Sequence, residues 1–402
     1  MMELQNNSHN KNHGLNPFSP QHPAQPEYFA DREKELQSFR EAAVNSAGLR
    51  VPSPKNFAIL GTWGEGKTSL LYKFRHVVTE ELQQEIHCTS IFISLSPEAC
   101  KNWEVFTKEF LRSIRSSIVS TNRLSKRVRE EVAKWELNLN VGVVSAKRAP
   151  SGEPVSLVNA LQELWMKHLA PSGVQVAFVL MDDLHYFPLQ REESAYLTLR
   201  TTFQELVNRK CNYSLVVTAP TLLFSTMAEI AEPVIRFFEP LDLGPFDALQ
   251  AREVIEVRLR SVGSKVKVDE DAIESMVRKT RGHPYILVFA MHELMKRIGA
   301  QEVVTKQTFE KAWPEIELSL GRTIFEQRFL AASPAERKLL IEVAKTGEER
   351  VAPGKFKRIK GSFQLFSRLE EKELVIHHER GSYSLFHPLF AEYLRHQESS
   401  GD

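Results

Sequence analysis

The chain has 402 residues, with 52 Lys and Arg against 51 Asp and Glu, a formal net charge of +1. That length suits two or three domains, and the near balance of charge removes any global pull toward nucleic acid or a membrane surface. The three cysteines, Cys88, Cys100 and Cys211, are far apart and form no C-x-x-C pair, which argues for free thiols in a reducing compartment and against a disulfide framework or zinc site.

Residues 1–26 are rich in Asn, His, Gln and Pro and poor in core-forming side chains, so they read as a disordered leader. His9, His13 and His22 fall within this solvated tail rather than in a metal site. The leader lacks the apolar core of a signal peptide, and no apolar run in the chain approaches the ~20 residues of a membrane span. The expected location is the cytoplasm, with no membrane partner. Next comes Tyr28-Phe29-Ala30-Asp31-Arg32-Glu33-Lys34-Glu35-Leu36. Asp31 stands at a candidate N-cap, and Glu33 and Glu35 lie in the first helical turn, where the dipole favours acids. Tyr28 and Phe29 either open this helix or flank a nucleotide base.

The apolar run Phe57-Ala-Ile-Leu60 breaks into Gly61-Thr62-Trp63-Gly64-Glu65-Gly66 and resumes as Lys67-Thr68-Ser69-Leu70-Leu71. This is G-x-x-x-x-G-K-[ST] between a strand and a helix, the phosphate-binding P-loop. Glycines let backbone N–H groups turn inward around phosphate oxygens, and the new helix aims its positive end at the same anion. Lys67 is suited to the β- and γ-phosphates and the Thr68 hydroxyl to Mg²⁺. The motif implies nucleotide binding across Gly61–Ser69.

A second strand is expected over 90–95, then an amphipathic helix with Trp103, Phe106, Phe110 and Ile114 inward. Residues 121–155 read as an insertion: Arg123, Lys126, Arg127 and Arg129 precede an alternating stretch over 135–141, expected as a surface hairpin. It is either a solvated basic face or a contact for nucleic acid or a neighbouring subunit. A helix over 157–169 leads to the most apolar strand, Val174–Met181, whose unbroken hydrophobicity marks burial on both faces of a parallel sheet. It ends in Asp182-Asp183, two carboxylates at the strand end where open α/β sheets place ligands. In a P-loop protein this is the Walker B position: Asp182 is suited to hold Mg²⁺ and Asp183 to orient the attacking water.

A helix over 192–209, a strand over 214–218, a helix over 221–231 and a last strand over 235–238 continue the alternation. Thr218 ends its strand beside the Walker B strand, as a γ-phosphate sensor or simply as a strand-ending Thr. Arg236 enters the last expected strand, either as a surface arginine or as a finger for the nucleotide of an adjacent subunit. From Phe246 the pattern turns helical, with Arg281-Gly282-His283-Pro284 joining two helices. Gly282 ends one and Pro284 opens the next, in a bundle expected to form a lid. Farther on, Ser333-Pro-Ala-Glu336 is a capping box. A basic link (Lys355, Lys357, Arg358, Lys360), a helix over 362–373 and two short strands about Glu379–Ser382 complete a winged helix-turn-helix. The outward residues Gln364, Ser367, Arg368 and Glu371 make a poor surface for a phosphate backbone.

The order of parts resembles the P-loop ATPases of the origin-recognition-like AAA+ and STAND groups, including archaeal-type ATPases with a C-terminal winged helix. The resemblance covers about 28–395 and is carried by YFADREKEL, GTWGEGKT, LMDDLHYF, VVTAP, RGHP and SLFHPLFAEYL. It implies an α/β fold with an ASCE-type parallel P-loop sheet, followed by a helical lid and a winged helix. The implied division is a leader over 1–26, an ATPase core over 27–245, a lid over 246–325 and a winged helix over 326–402. Tyr28 and Phe29 resemble the adenine-side segment, with Ala30 where that family usually has glycine. His283 and Pro284 resemble the nucleotide-proximal lid motif, and Arg236 lies near the arginine-finger position. Asp-Asp after the Walker B strand is the form common among STAND switches and implies slow turnover. The guanine signature N-K-x-D is absent, so ATP with Mg²⁺ is the expected ligand. The implied activity is a slow ATPase switch that couples nucleotide state to homo-oligomerisation or a protein partner. A DNA-associated ATPase is the alternative, and a small-molecule kinase is disfavoured because neither lid nor winged helix offers an acceptor pocket.

Overall fold

The computed structural model describes residues 15–120, 126, 128–130, 132, 157–186, 193–224, 232–298, 303–378 and 381–397. Most of the insertion, including the hairpin expected over 135–141, and most of the helix expected over 221–231 lie outside these residues. The chain separates into two compact units: Pro23–Gly244, and Pro245 onward together with the N-terminal residues to His22.

The first unit alternates helix and strand: α1 (Glu33–Gly48), β1 (Phe57–Leu60), α2 (Lys67–His76), β2 (Cys88–Ser94), α3 (Trp103–Ser120), α4 (Leu157–Leu164), β3 (Val176–Asp182), α5 (Glu193–Asn208), β4 (Tyr213–Ala219) and β5 (Glu239–Asp242). The five strands form one parallel sheet in the order β2-β3-β4-β1-β5. Helical crossovers cover both faces, which is why all seven residues of β3 are buried. Strand alternation divides the core. Phe57 and Ile59 pack with Leu36 and Phe39 of α1 and with Leu70 and Phe74 of α2. Ala58 and Leu60 pack on the opposite face with Phe106, Ile114, Leu161 and Phe203. Phe39 and Phe74 stack at 4.0 Å between ring centroids, locking α1 onto the P-loop helix.

Two local expectations change. The last strand is Glu239–Asp242, not 235–238, and Arg236 lies in the turn after a four-residue helical turn, Glu232–Ile235. Pro233 suits the start of that turn, and Ile235, Phe237 and Phe238 enter the core from it rather than from a strand. Pro240 is tolerated because, among the described residues, β5 is an edge strand that pairs with β1 alone. The residue that precedes α1 is Arg32 rather than Asp31, and both have left-handed backbones at φ 68°. No side chain caps this helix start.

In the second unit, α6 (Ala248–Ser261), α7 (Glu270–Thr280), α8 (Pro284–Ile298) and α9 (Lys306–Leu320) form the helical region. α6 begins with a capping box between Asp247 and Gln250. The expected leader is not disordered throughout. Phe18 is 1% exposed, lies under the Arg258 guanidinium and has its carbonyl bonded to His292 Nδ1 at 2.5 Å. One buried aromatic with these partners orders a segment whose average composition is polar. The C-terminal part contains α10 (Pro334–Thr346), a single 3-10 turn at Pro353–Phe356, and α11 (Ser362–Glu371). An antiparallel hairpin of β6 (Val375–His378) and β7 (Ser382–Leu385) follows, then α12 (Pro388–Gln397). This is a winged helix in which the middle helix is reduced to the 3-10 turn. No described helix is long and apolar enough to cross a membrane.

Gly282 has φ +67° and a backbone N–H from Phe246 bonded to its carbonyl at 2.8 Å. A Cβ there would lie 2.1 Å from the Phe246 carbonyl oxygen, whereas a Cβ at Gly263 (φ +62°) would meet nothing within 4 Å. We therefore predict that Gly282→Ala costs about 2–4 kcal/mol and Gly263→Ala only about 1 kcal/mol. Thermal unfolding of both variants checks this, and equal losses would contradict the close approach.

Candidate nucleotide site

The site is built where β1, β3 and β4 end. β4 lies between the other two, with Ile59 beside Thr218 and Met181 beside Val217. The P-loop, the Asp182-Asp183 pair and Thr218 are thus brought to one edge of one sheet.

In the loop, Gly64 and Gly66 have φ +79° and +94°. A Cβ at Gly66 would have open space, so backbone conformation rather than crowding demands glycine there. Gly66 immediately precedes α2, whose first residues are Lys67, Thr68 and Ser69. Gly61 is different: a Cβ would lie 2.5 Å from the Glu65 carboxylate. That carboxylate accepts the Thr62 N–H at 2.6 Å and braces the first turn of the loop. Burial raises the Glu65 pKa, while the Thr62 hydrogen bonds and the Lys67 and Arg32 charges oppose the rise. Trp63 is half-buried. Lys67 Nζ donates to the carbonyls of Gly61 and Thr62, each at 2.9 Å, so the ammonium spans the loop.

Asp182 is 4% exposed. Its Oδ1 accepts from Thr218 Oγ1 at 2.5 Å and from Thr68 Oγ1 at 3.2 Å. Burial pushes its carboxyl above the usual range and the Asp183 charge adds to this, while Thr218, Thr68 and Lys67 pull it back. The Thr218 hydroxyl, donating to Asp182, accepts the Asp183 N–H at 2.8 Å. This fixes Asp183 in a left-handed conformation at φ 62°, with a side chain far more exposed than that of Asp182. His185 Nδ1 lies 3.8 Å from Asp183 Oδ1.

The Tyr28–Phe29 segment is tied to the P-loop helix. Pro26–Tyr28 forms a 3-10 turn, Ala24 N–H donates to Ser69 Oγ at 3.0 Å, and Phe29 packs on the α1–α2 core. Arg32 donates to the Gly244 carbonyl at 2.6 Å. Arg236 is exposed in its turn. His283 and Pro284 belong to the other unit, where Pro284 opens α8. Sequence reasoning singled out Thr68, Asp183 and Thr218 beside Asp182, but not Tyr72, whose pKa burial and the Asp182 charge raise, nor the Glu65 brace, the Arg32 anchor or His185, which no motif spacing marks.

The donor set fits a hard divalent cation. Thr68 and Asp182 present a hydroxyl and a carboxylate oxygen 3.2 Å apart beside a lysine-spanned glycine loop, and Mg²⁺ takes one or two such ligands together with phosphate oxygens. Among the described residues no cluster of three or more His, Cys, Asp or Glu side chains forms a separate metal site.

This sheet order and loop define a P-loop NTPase. No protein-family model matches the sequence, and no curated protein does. Solved structures do. A Walker-type ATPase of Pyrococcus abyssi aligns with TM-score 0.59 and 16% identity over 94% of this chain and 99% of its own. The ORC2 protein of Aeropyrum pernix, solved as ADPNP–ADP complexes, aligns with TM-score 0.57 and 14% identity over 97% and 99%. The chain has the fold of the origin-recognition-like AAA+ ATPases: a parallel P-loop sheet, a helical region and a winged helix.

The hydroxyl of Thr218 opposes the rise that burial and Asp183 impose on the Asp182 pKa. Thr218→Val should raise the Asp182 pKa further, weaken Mg²⁺-dependent nucleotide turnover about tenfold, and move the acid limb of the pH–rate profile to higher pH. An unshifted limb would contradict the role of this hydrogen bond.

Proposed function

We propose that the chain binds ATP with Mg²⁺, hydrolyses it slowly, and uses the nucleotide state to control self-association or the docking of a protein partner. The observation that carries this reading is the hydrogen-bonded Thr68–Asp182–Thr218 cluster at the mouth of a lysine-spanned P-loop. In this reading the backbone amides of Gly61–Ser69 cradle the phosphates and Lys67 neutralises their charge. Thr68 and Asp182 hold Mg²⁺, which when bound withdraws charge from the phosphoryl oxygens. Asp183, held by its N–H to Thr218, orients the attacking water. Thr218 senses the γ-phosphate side, and Tyr28 and Phe29 flank the base. His283 and Pro284 approach it from the lid, and Arg236 reaches the nucleotide of a neighbouring subunit. Residues 27–245 act as the ATPase core, 246–325 as lid and 326–402 as winged helix.

A second reading is supported by one surface. Lys357, Arg358 and Lys360 are exposed just before α11, beside Phe363 at 62% exposure and Arg368 on the helix itself. Three cations and an exposed aromatic at the head of this helix suit DNA. Glu370, Glu371 and Glu373 at its far end oppose it.

Sizing the wild type with and without ATP, beside Lys67→Ala and Asp183→Asn, tests the proposal. Lys67→Ala should lose nucleotide binding by at least tenfold. Asp183→Asn should bind ATP, fail to hydrolyse it and accumulate the ATP-dependent assembly. Normal turnover in Asp183→Asn would remove that residue's assigned role. Turnover stimulated by DNA and falling steeply with salt would favour the second reading.

A further inference from the structure

β3 runs through Asp183 into a single 3-10 turn, Leu184–Tyr186, and each residue of that turn has its own environment. Leu184 is 1% exposed and belongs to the core on one face of the sheet. Tyr186 packs against the same core, and its backbone N–H donates to the Asp183 carbonyl at 3.0 Å. With both neighbours anchored and Asp183 in a left-handed conformation, the turn folds His185 back toward the Asp183 side chain. Its Nδ1 stands 3.8 Å from Asp183 Oδ1. The Tyr186 ring, 4.0 Å from the imidazole between centroids and tilted by 44°, limits how far that imidazole can swing.

The two aspartates are restrained to different degrees. Asp182 is buried and accepts from two hydroxyl donors. Asp183 is held through its backbone, by the N–H that donates to Thr218, while its side chain is 37% exposed. A backbone bond fixes where the carboxylate starts but not its rotation about χ1 and χ2. A group that orients a water molecule needs that rotation fixed, because a misplacement of about 1 Å can cost about a hundredfold in rate. His185 is placed to fix it. A separation of 3.8 Å is longer than a hydrogen bond, and catalytic contacts of this kind tighten when substrate is bound. A small rotation of two partly exposed side chains closes the gap.

We propose that His185 is a positioning residue for ATP hydrolysis: its Nδ1–H holds the Asp183 carboxylate in the rotamer that orients the attacking water. This rests on the reading of Asp183 as the water-orienting group. For His185 to donate as a neutral ring, Nδ1 carries the proton and Nε2 is the acceptor. His185 acts through Asp183 and not on the nucleotide, so its contribution falls on the chemical step rather than on ATP affinity.

Two substitutions separate the two ring nitrogens. The amide N–H of His185→Asn falls where Nδ1 stands, whereas that of His185→Gln falls nearer the place of Nε2. In the full-length protein, His185→Gln should lower kcat for ATP hydrolysis about tenfold, with KM and ATP affinity little changed. His185→Asn should restore kcat to within about threefold of the wild type. Wild-type kcat in His185→Gln, equal losses in both variants, or a loss confined to KM would overturn the assignment. Normal turnover in Asp183→Asn overturns the reading of Asp183 and this proposal with it. A defective Asp183→Asn beside a fully active His185→Gln overturns the role of His185 alone, so the two failures are distinct. If both His185 variants lose ATP binding, a crystal structure of the wild type with a non-hydrolysable ATP analogue and Mg²⁺ decides. His185 Nδ1 should then lie within about 3.2 Å of an Asp183 carboxylate oxygen, and a separation still at 3.8 Å overturns the proposal.

Discussion

A carboxylate with 4% exposure at the end of a fully apolar strand is costly unless its charge is met. Asp182 meets that cost with two hydroxyl donors from separate elements, Thr218 on β4 and Thr68 on α2, and with a lysine charge close by. The arrangement holds only if β4 lies between β1 and β3, since another strand order would carry Thr218 away from the carboxylate. The sheet topology and the hydrogen bonding of one buried carboxylate are therefore coupled. Replacing Asp182 with a residue of similar shape would spare the fold but remove the carboxylate that Thr218 and Thr68 meet at the mouth of the loop.

The loop and the carboxylate have opposite charges to offer, and each restrains the other. Lys67 spans the Gly61 and Thr62 carbonyls, while Glu65 holds the Thr62 amide and occupies the space a Cβ at Gly61 would need. The Glu65 bond to the Thr62 amide fixes the first turn of the loop, which lowers the ordering cost of binding. The second unit uses the same device at a different place. The turn between α7 and α8 is held by Phe246 against Gly282 and by His387 against Thr280.

Much of the site was legible in the sequence because its signals are local. G-x-x-x-x-G-K-T fixes loop, lysine and helix start within eight residues, and an unbroken apolar strand ending in two aspartates announces itself. The sequence could not specify which strand neighbours which, so Thr218 stood as an ambiguous strand end until its hydroxyl was found on Asp182. Arg236 was misplaced because Ile235-Arg-Phe-Phe238 has strand propensity while its core contacts come from a turn; tertiary packing overrode propensity. Phe18 was hidden in a polar average, and Arg32 precedes α1 with a backbone that no composition rule anticipates. His387 carries no local signal of its bond to Thr280, because that partner lies more than a hundred positions away.

The most direct test of the central claim is a crystal structure of the protein with ADP and Mg²⁺. The account predicts the β-phosphate within the Gly61–Thr68 loop, Lys67 Nζ turned from the Gly61 and Thr62 carbonyls onto phosphate oxygen, and the metal beside Thr68 and Asp182. Nucleotide bound away from this loop, or Lys67 still on its own loop carbonyls with the metal distant from Asp182, would contradict it.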